Sequence, residues 1–214
     1  MNWIILILQC LAAIVALLYY PKFKAKPIRM VLLLLWIALV AEIGARAYTA
    51  AGYDNNHWIY NVYAILFYGL FYKMVYDHIH HPTRKKIVAI SAIIMFLAII
   101  FRALTTPFFS LYMVHVFNLA TFVMVFHLMY YAIDLLKSDA DFRLKNNLEI
   151  FIFGGYLLFA VSFIPLAPFI FGIWMPDLSR QYYELLGDIQ GGIVIVMNLT
   201  FIYGFVWTRE LHSL

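Results

Sequence analysis

The stretch that decides the fold is RMVLLLLWIALVAEIGARAYTA, residues 29–50. An α-helix needs about 20 mostly apolar residues to cross the roughly 30 Å of hydrocarbon in a bilayer, and this run supplies them. It is continuously apolar and does not alternate, which favours a membrane helix over a barrel strand. Two full charges, Glu42 and Arg46, nevertheless lie near its end, where a charge is costly and needs an explanation.

The composition of the whole chain agrees with this stretch. Of 214 residues, 65% are hydrophobic and 12% are charged, whereas a soluble domain is about 45–50% apolar and about 25% charged. So much apolar surface must face lipid. We therefore predict an all-α, polytopic integral membrane protein that forms a single domain over residues 1–214. The seven predicted transmembrane helices cover about 2–20, 29–50, 57–77, 87–104, 109–136, 148–174 and 184–208.

Basic residues indicate the orientation of these helices. They are concentrated in the connections 21–29, 77–86 and 137–147, whereas the opposite side has Arg180, with Arg46 and Arg102 just inside the helix ends. The positive-inside rule places the basic side in the cytoplasm, with the N-terminus outside and the C-terminus cytoplasmic. The positive charge is thus explained by the lipid bilayer, without a nucleic-acid partner. The basic set is Lys22, Lys24, Lys26, Arg29, Arg84, Lys85, Lys86, Lys137, Arg143 and Lys145.

Glu42 and Arg46 lie in the outer half of the second helix. At about 1.5 Å per residue, Glu42 is roughly 12 Å from the outer end of that helix, and Arg46 is one turn nearer the surface. Residues four apart share a helix face and can form an ion pair. Two interpretations remain open: a structural ion pair that packs helices together, or a carboxylate that binds a ligand or relays a proton.

Other polar residues occur at a similar depth in neighbouring helices. Because buried charges face the bundle interior and pair with one another, we predict a polar chamber that opens to the outside. Its predicted ligand-binding residues are Glu42, Arg46, Asn61, Arg102, His115, Asn118, Asp188 and Gln190. Its candidate aromatic walls are Tyr48, Trp58, Tyr63 and Tyr68. Alternatively, each polar residue caps its own helix or contacts interfacial water. In the sixth helix, Pro165 and Pro168 predict a kink or break.

The sequence offers little support for catalysis or a cofactor. The run DHIHHP (77–82) admits a metal site, but histidines at a cytoplasmic helix end also complement the helix dipole and contact lipid phosphates, which we favour. His115 and His127 are twelve residues apart, about 18 Å along a helix, so they cannot share one zinc ion. No nucleotide-binding or hydrolase motif is found, and the last helix has no lysine for retinal. We therefore predict no catalytic residue, no metal and no cofactor.

Three segments carry a resemblance to a known group. AEIGARAY (41–48), NNHWIYNVY (55–63) and YYAIDLLK (130–137) resemble small bacterial inner-membrane proteins with seven helices. That group tends to have an acidic residue in the second helix, here Glu42, and an N-x-W-[IL]-Y-N-like motif, here Asn56 to Asn61. Some members have a second carboxylate in the third helix, where this chain has Leu66 and Phe67. The resemblance implies the topology and a bacterial inner-membrane location, but no activity.

These observations lead to one functional expectation and two alternatives. We expect a non-enzymatic, receptor- or sensor-like protein that binds a small ligand, a lipid headgroup or a proton in the chamber. Because every connection is short, such a protein would signal to a membrane or cytoplasmic partner protein. One alternative is a small secondary transporter, possibly coupled to protons. The other is an accessory subunit of a larger membrane complex, in which the polar pairs pack helices together.

Overall fold

The computed structural model describes residues 2–24, 26–53, 55–109, 111–137, 147–171 and 179–208, with all their side chains except those of Asn2 and Lys137. Arg143 and Lys145, which the sequence places on the basic side, lie outside the described residues, as does the segment after Thr208.

The described chain contains seven α-helices. They are α1 Asn2–Leu18, α2 Met30–Ala50, α3 His57–His78, α4 Pro82–Thr105, α5 Val114–Lys137, α6 Leu148–Ile170 and α7 Arg180–Trp207. Two 3-10 turns, Tyr20–Lys22 and Pro27–Arg29, connect α1 to α2. The largest differences from the predicted limits lie at helix starts. The fourth helix begins at Pro82 rather than 87, because proline suits the first helical position and the polar residues after it form the first turn.

The sixth helix is not broken by its prolines. It continues through Pro165 and Pro168 to Ile170. Pro168 has no N–H to donate to the carbonyl of Ile164, but Asn118 Nδ2 on α5 donates to that carbonyl at 3.2 Å. A neighbouring helix thus satisfies an acceptor that the proline leaves open, which is how membrane helices tolerate proline. The predicted break is therefore wrong.

Of the helices in the described residues, five are long and apolar enough to cross a membrane: α2 with the turn before it, α4, α5, α6 and α7. The apolar part of α1 is shorter, and α3 carries Lys73 and Asp77. Helix α4 shows most clearly which solvent it meets. It leaves Phe101 69% and Leu104 82% exposed. Exposure of such large apolar side chains is unfavourable in water and normal in lipid. The structure has the character of a helical membrane protein.

Contacts between helix termini define two ends of the bundle. At one end, Arg46 near the end of α2 lies 5.2 Å from the ring centroid of Trp3 at the start of α1. We call this the Trp3 end; α3 and α5 also begin there. At the other end, Lys22 Nζ donates to the carbonyl of Thr208, just after α7, at 3.2 Å. We call this the Lys22 end; α2, α4 and α6 begin there.

The core of the bundle is a layer of aromatic side chains. Ring centroids are 5.8 Å apart for Phe67 and Phe71, 5.4 Å for Phe71 and Tyr156, and 5.0 Å for Tyr156 and Phe201. Phe153 completes this aromatic layer, 6.4 Å from Phe71. All five rings are at most 6% exposed, so the layer separates the two ends of the bundle.

Glycines allow α6 and α7 to approach closely around this layer. A Cβ at Gly155 would lie 2.5 Å from the ring of Phe201, and a Cβ at Gly204 would lie 2.5 Å from Cβ of Phe151. Both contacts are too short for alanine without movement. By contrast, Gly154 and Gly192 have nothing within 4 Å of an added Cβ. Of these four glycines, Gly155 and Gly204 are the two that the helix packing requires.

Candidate functional site

The ion pair expected from the four-residue spacing is present. Glu42 Oε1 accepts from both Arg46 Nε, at 2.8 Å, and Arg46 Nη2, at 2.7 Å. The O–H of Tyr60 on α3 donates to Glu42 Oε2 at 3.2 Å, and the guanidinium faces the ring of Trp3. The pair therefore joins α1, α2 and α3 near the Trp3 end.

Burial distinguishes this pair from a second one with the same spacing. The side chains of Glu42 and Arg46 are 22% and 28% exposed, whereas those of Glu184 and Arg180 on α7 are 64% and 92% exposed. Exposed ion pairs contribute about 0–1 kcal/mol. For a pair held partly away from solvent, with a third polar partner, the contribution to stability depends much more on whether both groups are charged. The exposed pair is thus a natural control for the buried one.

A cavity of about 90 Å³ lies in the bundle interior, between α1, α2, α3, α6 and α7. Its polar lining is Gln9, Tyr63, Tyr156 and Asn198, and the rest is apolar. Asn198 Nδ2 donates to the carbonyl of Val194 at 2.8 Å. However, Gln9 Oε1 and Asn198 Oδ1 are buried without a hydrogen-bond partner. Unsatisfied buried acceptors beside a void indicate a site for a hydrogen-bond donor, such as water.

The ion pair and the cavity lie on continuous helix faces. On α2, Glu42 is one turn beyond Ala38, which lines the cavity. On α7, Gln190 is one turn before Val194, which also lines it, and both amide atoms of Gln190 are buried without a partner. We call this set the polar column. It comprises Arg46, Glu42, Tyr60, Tyr63, Gln190, Gln9 and Asn198, and it extends from the Trp3 end to the aromatic layer.

The size of the cavity limits what the column can bind. Sites for drug-sized molecules occupy about 300–1,000 Å³, whereas one water takes about 30 Å³. A cavity of about 90 Å³ therefore accommodates a few water-sized molecules. Its chemistry suits water, a proton or a very small polar solute, and not an organic ligand of ordinary size.

Asn61 has a structural role that the sequence analysis did not anticipate. Its side chain is 0% exposed. Its Nδ2 donates to the carbonyls of Phe108 at 2.8 Å and Leu111 at 2.9 Å, and its Oδ1 accepts from the backbone N–H of Met113 at 3.1 Å. All three partners belong to the connection between α4 and α5. Asn61 therefore fastens that connection to α3, and both N–H groups of its amide are already bonded to carbonyls.

The remaining predicted residues lie elsewhere. His115 is exposed in a groove between α5 and α6 that also contains Asn118. Asp188 is exposed in a separate surface pocket beside Glu184. The side chain of Arg102, in the last turn of α4, makes no hydrogen bond or ion pair with the described residues.

The structure therefore does not assemble one chamber from the predicted residues. It brings Glu42 and Arg46 together, with Gln190 farther along the same polar column. Asp188 and Gln190 show why: two residues of α-helix turn about 200°, so they point to opposite sides of α7. The column also contains Gln9, the one amide between Trp3 and Leu18 in the first helix, which the sequence analysis overlooked. The unusual presence of an amide in that run was the available signal.

The predicted aromatic walls are also divided. Tyr63 lines the interior cavity. Tyr48 lies near the Trp3 end, stacked on Tyr53 with centroids 4.4 Å apart, and Trp58 contacts it edge-on. Tyr68 is buried, and its O–H bonds to the carbonyl of Phe117 at 2.9 Å and to Thr121 at 2.5 Å. Tyr68 thus joins α3 to α5 instead of lining the column.

A serine and a histidine form a contact that the sequence analysis also missed. Ser91 Oγ lies 2.7 Å from His127 Nε2, and it donates to the carbonyl of Val88 at 3.0 Å. The hydroxyl has one proton and a carbonyl only accepts, so His127 Nε2 must be the donor to Ser91. Moreover, His127 Nδ1 is buried without a partner, so no carboxylate orients the ring. This geometry joins α4 to α5 and does not activate the serine as a nucleophile.

The histidines of DHIHHP are also divided by the fold. His80 and His81 are exposed, as expected at an interface. His78, by contrast, is only 7% exposed, because protein surrounds its side chain. Its ring packs edge-on against Tyr131 and Phe153. No group of three or more His, Cys, Asp or Glu side chains suited to a metal ion occurs in the described part of the chain.

Comparison with known proteins adds no family. The chain matches no family model, no curated protein and no solved structure.

Proposed function

We propose that all seven helices cross the membrane, with the start of α1 outside and the Lys22 end in the cytoplasm. The described part of the Lys22 end contains the basic residues of residues 22–29 and 84–86, and positive charge near helix ends favours the cytoplasmic side. Helices α1 and α3 pack within the same bundle as the five apolar helices. By its resemblance to bacterial seven-helix proteins, the chain belongs in a bacterial inner membrane.

Within that topology, the protein acts as a non-enzymatic sensor, in which the polar column responds to a proton or a very small polar ligand from outside. The observation that carries this proposal is the alignment of the Glu42–Arg46 pair with an interior cavity lined by unsatisfied amide oxygens. Loss of the Glu42 charge would release Arg46 and Tyr60, and so loosen α1, α2 and α3 from one another.

The fold provides a route from this site to the Lys22 end. Helices α1 and α2 are joined by the turn that contains Lys22, and Lys22 holds the carbonyl after α7. A shift of α1 against α2 would therefore move the end of α7 as well. A partner protein bound at the Lys22 end would respond to this movement of α7. A ligand produces such a shift only by its different affinity for the two arrangements.

Hydrogen exchange tests this coupling directly. We expect Glu42→Gln, in lipid nanodiscs, to speed amide exchange in residues 19–29 and 204–208, far from the substitution. Hydrogen bonds to charged groups contribute about 1.5–3 kcal/mol, and partial exposure reduces this, so about tenfold faster exchange is expected. Glu184→Gln removes the exposed pair of the same spacing and should leave these segments unchanged. Equal effects of the two variants, or none at the Lys22 end, would overturn the sensor proposal.

One observation favours a transporter as the second candidate. Polar side chains lie on both sides of the aromatic layer, with the polar column on one side and His78 with Glu149 on the other. Alternating access would then require rearrangement of Phe71 and its neighbours. Proteoliposomes that contain a pH-sensitive dye separate the two functions. Proton flux above that of empty liposomes, abolished by Glu42→Gln, supports a carrier, whereas no flux together with the exchange response supports a sensor.

A further inference from the structure

A second cavity, of about 260 Å³, lies at the Lys22 end, where α3 and α5 finish and α6 begins. Its described lining contains carboxylates, imidazoles and a phenol, but neither lysine nor arginine. The polar lining residues are Asp77, His78, His80, Tyr131, Asp134 and Glu149. It lies beyond the aromatic layer from the polar column, and it is independent of the proposed sensor site.

Hydrogen bonding determines which atom of His78 faces this cavity as an acceptor. His78 Nδ1 lies 2.7 Å from the carbonyl oxygen of Met74. Because that oxygen only accepts, Nδ1 carries the hydrogen, and Nε2 of the neutral ring presents a lone pair. Nε2 is buried without a hydrogen-bond partner and lies 3.6 Å from Glu149 Oε1. When the ring is neutral, Nε2 and Glu149 Oε1 are two acceptors that face each other with no donor between them.

The carboxylates add a further acceptor. Asp134 pairs with Arg84 through Oδ1, whereas its Oδ2 is buried without a partner. Glu149 accepts the O–H of Tyr131 through Oε2 at 3.3 Å, which leaves Oε1 facing His78. The cavity thus offers His78 Nε2 and Asp134 Oδ2, which are buried without a hydrogen-bond partner, and Glu149 Oε1, which faces His78 Nε2.

We propose that this cavity binds a primary ammonium group. Such a group has three N–H donors for the three acceptors, and its positive charge complements Glu149, because Asp77 and Asp134 already form ion pairs with Lys73 and Arg84. A quaternary ammonium has the charge but no donor. The acceptors lie within about 5 Å of the ends of their helices, and so at the level of lipid headgroups. The ammonium can therefore belong to the ethanolamine headgroup of a lipid or to a free small amine.

The chain itself contains a competing group. Lys26, in the connection between α1 and α2, is close enough for its ammonium to act electrostatically on Glu149. It makes no ion pair with a described carboxylate. Lys26 therefore gives the proposal an internal competitor that can be removed.

The lipid source is tested with the full chain in nanodiscs of phosphatidylethanolamine or of phosphatidylcholine, whose choline group lacks N–H donors. Thermal unfolding is followed in both. Binding at ten times Kd should raise the midpoint in the ethanolamine lipid by about 3–6 °C. Glu149→Gln should remove this difference, whereas Glu184→Gln, on the exposed surface of α7, should retain it.

The free source is tested in the phosphatidylcholine nanodiscs by adding methylammonium, with tetramethylammonium at equal ionic strength as the control. An increase of the unfolding midpoint with methylammonium that is larger in Lys26→Gln identifies a site for free amines. An increase of the midpoint with the ethanolamine lipid, and no increase with methylammonium, identifies a headgroup site. If the wild-type protein responds to neither source, or if Glu149→Gln responds as the wild type does, the proposal is overturned. A direct ion pair between protonated His78 and Glu149 would then account for the geometry.

Discussion

Replacing Asn61 by alanine should destabilise the protein more than the same replacement of an exposed asparagine. The side chain is fully buried and makes hydrogen bonds to three backbone groups of the connection between α4 and α5. Alanine removes all three. It also strands the N–H of Met113, which is 2% exposed and has no water to take the place of Asn61.

The expected magnitude follows from these contacts. A typical hydrogen bond contributes about 1 kcal/mol net, and an orphaned buried donor costs about 1–3 kcal/mol. Three bonds with one orphaned donor therefore suggest a loss of about 3–5 kcal/mol. For a chain of this size, this corresponds to a fall of about 6–20 °C in the unfolding midpoint. Asn61→Asp should be at least as harmful, because it places a carboxylate against the carbonyls of Phe108 and Leu111.

Thermal unfolding of the purified protein in nanodiscs, followed by circular dichroism, measures the effect. Asn56→Ala is the matched control. Asn56 lies just before the same helix and makes one exposed hydrogen bond to Thr49 at 3.3 Å, so its removal should cost about 0.5 kcal/mol or less. Our account of Asn61 is refuted if its alanine variant unfolds within about 2 °C of the Asn56 variant.

Three further predictions follow from the packing of α4 to α7. Gly155→Ala should destabilise the protein by about 1–3 kcal/mol in thermal unfolding, because the new methyl group meets the buried ring of Phe201. Gly154→Ala is the control and should be neutral or stabilising, because an added Cβ there has nothing within 4 Å. Asn118→Ala should lower the free energy of unfolding by about 1 kcal/mol, because it removes the bond to the carbonyl of Ile164. The loss should be smaller in a Pro168→Ala background, where the restored N–H can bind the same carbonyl. A double-mutant cycle without coupling would contradict this. Ser91 should resist a fluorophosphonate probe as judged by mass spectrometry, since its hydroxyl donates to a carbonyl, and labelling would reopen the enzyme hypothesis.

The Glu42–Arg46 pair shows what can be predicted about the site. The spacing of the two residues along one helix was enough to predict their ion pair, because contacts between residues four apart depend only on helix geometry. The contact of Glu42 with Tyr60 joins two helices, and no local pattern indicates it. The same holds for His78, whose position at a helix end suggested an interface although the fold buries it.

The sequence by itself determined the helical architecture and the approximate limits of the helices, because a bilayer demands long apolar runs and their composition is unmistakable. Only the tertiary structure decided how each helix is rotated about its axis. In water, the apolar face of a helix identifies the side that is buried. Here lipid and protein interior are both apolar, so a helix such as α6 is apolar almost all round and its sequence does not specify which face is inside. That rotation directs Gln190 toward the polar column and Asp188 toward the surface.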